Sequence, residues 1–282
     1  MEYSSDDIAA ARSFQFATYI YTSMATFWVY DYACSLHEEW SFLLQSHWNR
    51  VKGLYIATRY LPFILLTTNL YMNFSQNENP DRCRVLANID SGIGMVSTIF
   101  SECFFILRTY ALWDNNRILL AAMASTFFAF IVASFTIAFT TTAPAAYAAS
   151  AIPGITGCYQ SSTSFQLFIP FLLLFAFELA LMILTLIRAI QSWRTNTNRL
   201  YVVLVNHNIS YYACGLLFSV VNIFTSLLLQ YSYHSMLHDF QFIILAVLAT
   251  RMHLHLWQMG QPGHSSLVDI PMSDISFVHS MP

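Results

Sequence analysis

Apolar residues fall in long, nearly unbroken runs rather than in alternating or one-sided patterns. Seven runs reach the roughly 20 residues that a membrane-crossing helix needs. They are Phe14–Leu36, Val51–Asn73, Ala87–Trp113, Ile118–Thr140, Phe165–Ile190, Ile209–Gln230 and Leu237–Trp257, with the first two the least apolar. The polar breaks between them are short, and no internal repeat supports an inverted-repeat carrier. The pattern predicts an all-α membrane protein: a seven-transmembrane helix bundle forming one domain over residues 1–257. A disordered cytoplasmic tail, residues 258–282, is expected to follow. It carries Pro262 and Pro271, with Ser265, Ser266, Ser273 and Ser276 as phosphorylation candidates.

Positive charge orients the bundle. With the N-terminus outside, the inner segments hold Arg50, Lys52, Arg108, Arg117, Arg188, Arg194, Arg199 and Arg251. The outer ones hold only Arg12, Arg82 and Arg84, and Arg59 lies within a run. This predicts an outer N-terminus and an inner C-terminus. No basic, short-apolar, small-residue leader precedes the first run, so that run is expected to act as its own insertion signal.

Composition supports the same picture. Hydrophobic residues make up 56% of the chain and charged residues 10%, against about 25% charged in soluble domains. The expected solvent is the lipid bilayer, in the plasma membrane or a secretory-pathway membrane. A net charge of −3 leaves no nucleic-acid footprint.

Two of the five cysteines, Cys83 and Cys158, fall on the expected outer side. The secretory route is oxidising, so a Cys83–Cys158 disulfide is expected. It would close a loop of about 76 residues, a constraint of about 4 kcal/mol in the chain-entropy model. Cys34, Cys103 and Cys214 fall within runs.

Charges inside a span cost about 2.5–3.5 kcal/mol each on insertion scales and need a reason. Asp31 and Arg59 lie at matching depths on adjacent runs, which suggests a structural ion pair. Glu102 and Glu178 lie about equally deep in the third and fifth runs. They can face each other, sharing one proton, or compete for Arg59. Asp90, nearer the outer end, can line a ligand mouth. These three acids form the candidate ligand or proton site. Pro62 and Pro170, within the second and fifth runs, are expected to kink them.

Other chemistry is sparse. His234 and His238 have i, i+4 spacing with Asp239 adjacent, a weak metal candidate that lacks an evident third ligand. His207, His253 and His255 read as polar groups near the inner face. The only lysine, Lys52, sits at a loop edge, so no retinal Schiff base can form within a span, and no cofactor is expected. No Gly-rich phosphate loop, GxSxG or HExxH occurs, so no enzyme signature is present. Asn73-Phe74-Ser75 is a glycosylation sequon on the expected outer side.

The first two runs carry a recognisable combination. Tyr30-Asp31 ends the first, Glu38, Glu39 and Trp48 follow, and Arg59-Tyr60-x-Pro62 lies in the second. Together with LRTYALWDNNR (Leu107–Arg117) and RMHLHL (Arg251–Leu256), these residues resemble a large fungal family of multi-span membrane proteins, common in mushroom-forming species and catalogued as a domain of unknown function. The signature covers about the first quarter of the chain and implies no substrate or catalytic residue. A looser resemblance is to G-protein-coupled receptors. It rests on seven spans, Cys83 before the third, Cys158 in the second outer loop, and an inner-face motif at Arg108-Thr109-Tyr110. Leu107 stands where those receptors carry an acid, and the last run lacks Asn-Pro-x-x-Tyr.

The leading expectation is receptor-like sensing of a small extracellular or lumenal ligand in a cavity among the third, fifth, sixth and seventh runs. A cytoplasmic signalling partner would then meet the inner ends near Arg108 and Arg199. The alternatives are a proton-coupled carrier using Glu102 and Glu178, and a structural membrane subunit without a ligand. A membrane enzyme using His234, His238 and Asp239 is the least favoured.

Overall fold

In lipid the backbone must satisfy its own hydrogen bonds, and a continuous helix does so within one segment. In a computed structural model the long runs accordingly become seven helices: α1 (Ser5–Gln45), α2 (Arg50–Phe74), α3 (Pro80–Leu112), α4 (Arg117–Thr142), α5 (Ile169–Thr195), α6 (Arg199–Leu228) and α7 (Tyr231–Met259). The structure describes residues 5–74, 80–142, 147–149, 158–160, 168–195, 199–228 and 231–259. The tail serines lie outside these residues, as do the side chains of Cys158, Arg199, His207 and His234.

Helices carry the fold, with one addition to the all-α expectation. Strands β1 (Tyr147–Ala149) and β2 (Cys158–Gln160) pair antiparallel, with Ala149 opposite Cys158. β1 packs on α3 and β2 on α7.

Among the described residues, five helices are long and apolar enough to cross a membrane: Asp81–Leu112, Arg117–Thr140, Ile169–Gln191, Ile209–Leu228 and Met236–Gln258. The protein is a multi-helix membrane protein. Its burial pattern agrees, because large apolar side chains such as Phe128, Phe139, Ile183, Leu217 and Phe224 face outward while Asp31, Arg59, Glu102 and Glu178 are buried. α1 and α2 are not among the five. Asp31, Glu38 and Glu39 lower the hydropathy of the first, and Arg50, Lys52 and Arg59 that of the second.

Local signals set the helix ends. The Asn49 side chain accepts from the Lys52 amide at 2.8 Å, capping α2. Lys52 turns its ammonium back onto the end of α1, donating to the carbonyls of Leu43 (2.7 Å) and Ser46 (2.8 Å). At the end of α3, Asp114 and Asn115 take left-handed φ values of 53° and 57°. Short polar residues tolerate that conformation, and it stops a helix. Asn116 then accepts from the amides of Ile118 and Leu119 at 3.0 and 3.3 Å and starts α4. Asp114 also pairs with Arg188 of α5, and Arg188 donates to Leu112 O at 3.0 Å.

Proline behaves differently at its two positions. Pro62 lies inside α2, which stays helical through it. α5 begins at Ile169, so Pro170 occupies its first turn and not its interior. The missing amide donor has no intrahelical role there, which removes the ground for a kink at that residue.

α3 packs on α2, α4, α5 and α7, and α7 packs on α1, α2, α3 and α6. The two lie side by side. A Cβ placed on Gly94 of α3 would come within 2.6 Å of the Phe242 ring of α7. They share the centre of the bundle, and both begin at the end where the β-hairpin sits.

Candidate functional site

Three buried polar clusters occupy the interior at different depths. The first joins α1, α2 and α7. Arg59 is 1% exposed and donates to Asp31 at 2.7 Å. It also pairs with Glu39 and contacts Ser35. Its guanidinium lies over the rings of Trp28 and Tyr32, 5.1 and 5.4 Å from their centroids, positions that favour a cation. Arg251 of α7 reaches the other oxygen of Asp31 at 2.6 Å. Two acids and two arginines thus neutralise one another. Arg59 engages Asp31 and Glu39 and makes no ion pair with Glu102 or Glu178, which removes the competition considered from sequence.

The second cluster lies where α1, α2, α3 and α7 meet, toward the end at which α3 and α7 begin. Asn69 donates to both oxygens of Asp90, at 3.0 and 3.2 Å. The Tyr21 hydroxyl donates to Asp239 at 2.7 Å. Both acids are buried and lie within electrostatic reach of each other. His238, next in sequence, points elsewhere: its ring packs on Phe171 with centroids 3.8 Å apart and its Nε2 lies 3.2 Å from Ser226 Oγ. Asp239 and His238 therefore serve different neighbours. Among the described residues no group of three His, Cys, Asp or Glu converges to hold a metal.

The third cluster, among α3, α5, α6 and α7, is the most unusual chemically. Glu102 is 0% exposed, and neither carboxyl oxygen has a hydrogen-bond partner among the described residues. Glu178 on α5 lies within electrostatic reach of it. Glu178 Oε2 accepts from Ser219 of α6 at 2.8 Å, while Oε1 has no partner. α6 approaches closely here, since a Cβ on Gly215 would lie 3.1 Å from Glu178 Oε1 and 3.3 Å from Leu245 of α7.

Amide and hydroxyl groups continue from this pair. Gln241 of α7 donates to Ser219 Oγ at 2.7 Å. Asn222 of α6 donates to Gln241 Oε1, and to Leu237 O at 3.2 Å. The side-chain bonds from Asn222 to Gln241, from Gln241 to Ser219 and from Ser219 to Glu178 all run in one direction. Among the described residues, the titratable groups within reach of the two acids are Tyr212 and Cys214 on α6 and Cys103 beside Glu102. None of these is a cation.

The inner-face motif is built differently from an ion pair. Arg108 lies near Tyr211, Tyr212 and His253, with no carboxylate partner among the described residues. Thr109 meets the Tyr212 hydroxyl at 3.0 Å. Tyr110 packs at the edge of an apolar cluster that includes Phe105, Leu181 and Met252. At the opposite end, Cys83 is buried and is not a free thiol, whereas Cys34, Cys103 and Cys214 are.

Sequence reasoning passed over several members of these clusters. Glu39 lay beyond the expected end of the first span and Arg251 near the inner end of the last, and beyond the family resemblance neither carried a sign that it would meet Asp31 or Arg59. Ser219, Asn222 and Gln241 carry no charge. Their one signal was an unusual density of amides and hydroxyls within apolar runs.

The comparisons with known proteins bear on the first cluster. No curated protein and no solved structure matches the chain. Residues 19–64 match a family described as "Family of unknown function (DUF6533)". The matched stretch spans Trp28, Asp31, Tyr32, Ser35, Glu39 and Arg59, the α1–α2 part of the ion-pair cluster.

Proposed function

We propose that this membrane protein takes up and releases a proton at the Glu102–Glu178 pair, the chemistry of a proton-coupled carrier. One observation carries the reading: two neighbouring carboxyls are fully enclosed, and three of their four oxygens lack a partner among the described residues. An unpaired buried charge costs several kcal/mol, and two carboxylates without a counter-cation cannot both be charged in such an interior. The pair therefore holds a proton. Releasing that proton requires compensation, which a cationic substrate or a movement of the helices can supply. Receptor-like sensing with a cytoplasmic partner uses the same bundle, and no contact favours it over proton carriage.

The seven helices are proposed to be seven spans, with α1 and α2 inserting because the Arg59 cluster neutralises their charges. The N-terminus lies outside and the C-terminus inside, in the plasma membrane or a secretory-pathway membrane. The Cys83–Cys158 bridge belongs to this arrangement. It is supported by the bonded state of Cys83 and by β2, which starts at Cys158 on the end of the bundle where Cys83 lies.

Infrared titration of the purified protein tests the proton site. The wild type is expected to show the carbonyl band of a protonated carboxyl that responds to pH, lost in Glu102→Gln and altered in Glu178→Gln. Proteoliposomes with a trapped pH dye are expected to show protein-dependent proton movement that Glu102→Gln abolishes. If both variants retain the wild-type spectrum, the proposal fails.

A further inference from the structure

The two halves of the bundle on either side of the carboxyl pair differ in kind. Toward the end where α3 and α7 begin, the enclosed side chains include a series of polar ones. Ser97 and Ser101 precede Glu102 on α3, Ser219 and Asn222 lie on α6, and Gln241 lies on α7; all are 0–1% exposed. In the opposite half large apolar side chains are enclosed, and the hydroxyls among them are already hydrogen-bonded: Thr109 with Tyr212, Thr185 to Leu181 O and Thr250 to Ala246 O. Phe104 and Phe105 lie two and three residues after Glu102; Phe105 packs with Leu181 and Met252, and Phe104 with Ala249. Tyr212 closes this half. Its ring lies 5.1 Å from that of Phe105, and its hydroxyl donates to Phe105 O at 3.1 Å.

Two atoms of the polar half are left over. Ser97 Oγ and Asn222 Oδ1 are enclosed and have no hydrogen-bond partner among the described residues, although more than about 90% of buried polar groups find a protein or water partner. Each lies about one to two helical turns from the carboxyl pair, on the same side of it. The unmet oxygens of Glu102 and Glu178 lie at the other end of this stretch. Enclosed polar groups spaced this way suit a few ordered waters, each of which needs two to four polar partners. Side-chain amides relay protons poorly, whereas a short chain of water held by amides and hydroxyls passes them readily.

We infer that the polar half, lined by Ser97, Ser219, Asn222 and Gln241, is a water-binding path that connects the Glu102–Glu178 pair to the end where α3 and α7 begin, while the Phe104–Phe105–Tyr212 layer seals the other side. The inference rests on the carboxyl pair being the protonation site and adds the side from which protons arrive. In the proposed orientation that side is extracellular or lumenal.

Thiol labelling tests it in proteoliposomes, in a background where Cys34, Cys103 and Cys214 are replaced by serine. A membrane-impermeant methanethiosulfonate added at the α3/α7-start end is expected to modify Ser97→Cys and Asn222→Cys and to spare Phe105→Cys. Denatured samples of each variant confirm that the thiol is reactive. A second measurement needs no new cysteine. In deuterated buffer the protonated-carboxyl band is expected to shift quickly in the wild type and slowly in Gln241→Leu and Asn222→Leu. Labelling of Phe105→Cys with protection of the other two, or unchanged deuteration rates in both leucine variants, overturns the path. These outcomes are separate from failure of the proton site itself. There, Glu102→Gln would keep the band whatever the labelling pattern.

Discussion

Glu178 and Gly215 show how one backbone position can set the state of a buried acid. Glycine in a helix interior costs about 1 kcal/mol relative to alanine, so its presence in α6 calls for a local reason. The reason is space, because a methyl group at Gly215 would press on Glu178 Oε1 and on Leu245. Gly215→Ala is therefore expected to lower thermal stability and to displace the infrared band of the carboxyl pair. Gly92 of α3 has open space around it, with nothing within 4 Å of an added Cβ. Gly92→Ala is expected to leave the band alone and to raise stability by up to about 1 kcal/mol. Thermal unfolding in detergent and infrared spectra of the two variants decide the matter, and equal behaviour would remove the steric argument.

At the scale of the element, α1 and α2 depend on a clamp. Arg59 lies between Asp31 and Glu39 with almost no exposure, whereas the side chain of Arg251 is 48% exposed. Removing one partner of a buried pair leaves an uncompensated charge and costs about 3–5 kcal/mol. Arg59→Met is expected to destabilise the protein by that order, and Arg251→Ala by much less because water screens it. Replacing the whole cluster (Asp31→Asn, Glu39→Gln and Arg59→Met together) is expected to recover part of the loss. Denaturation midpoints of the three variants measure this. An Arg59→Met variant no less stable than Arg251→Ala would show that α1 and α2 are held mainly by the apolar contacts of Trp28, Leu65 and Leu66.

For the molecule as a whole, the proposed orientation makes a direct prediction. Engineered glycosylation sequons between α4 and α5 are expected to be occupied, and sequons in the α3–α4 turn are expected to stay bare. The reverse pattern would place the polar half of the bundle toward the cytoplasm and would invert the side from which protons reach Glu102. The positions of the clusters within the fold would not change, since they follow from helix packing and not from the direction of insertion.

The number and type of long elements were legible from the chain alone, because a run of some 20 apolar residues in lipid has few alternatives to a helix. So were the acids that needed an explanation, because a charge in such a run is costly wherever it points. Depth along the helices also placed Asp31 beside Arg59, since rise per residue is fixed. What the chain could not give was rotation. Whether Glu102 meets an arginine, a second acid or lipid depends on which face of α3 turns inward, and a run that is apolar all round carries no such signal. Packing decided it: α7 took Arg251 to Asp31, Asp239 toward Asp90, and Gln241 to Ser219. The same packing left Glu102 with no hydrogen-bond partner among the described residues.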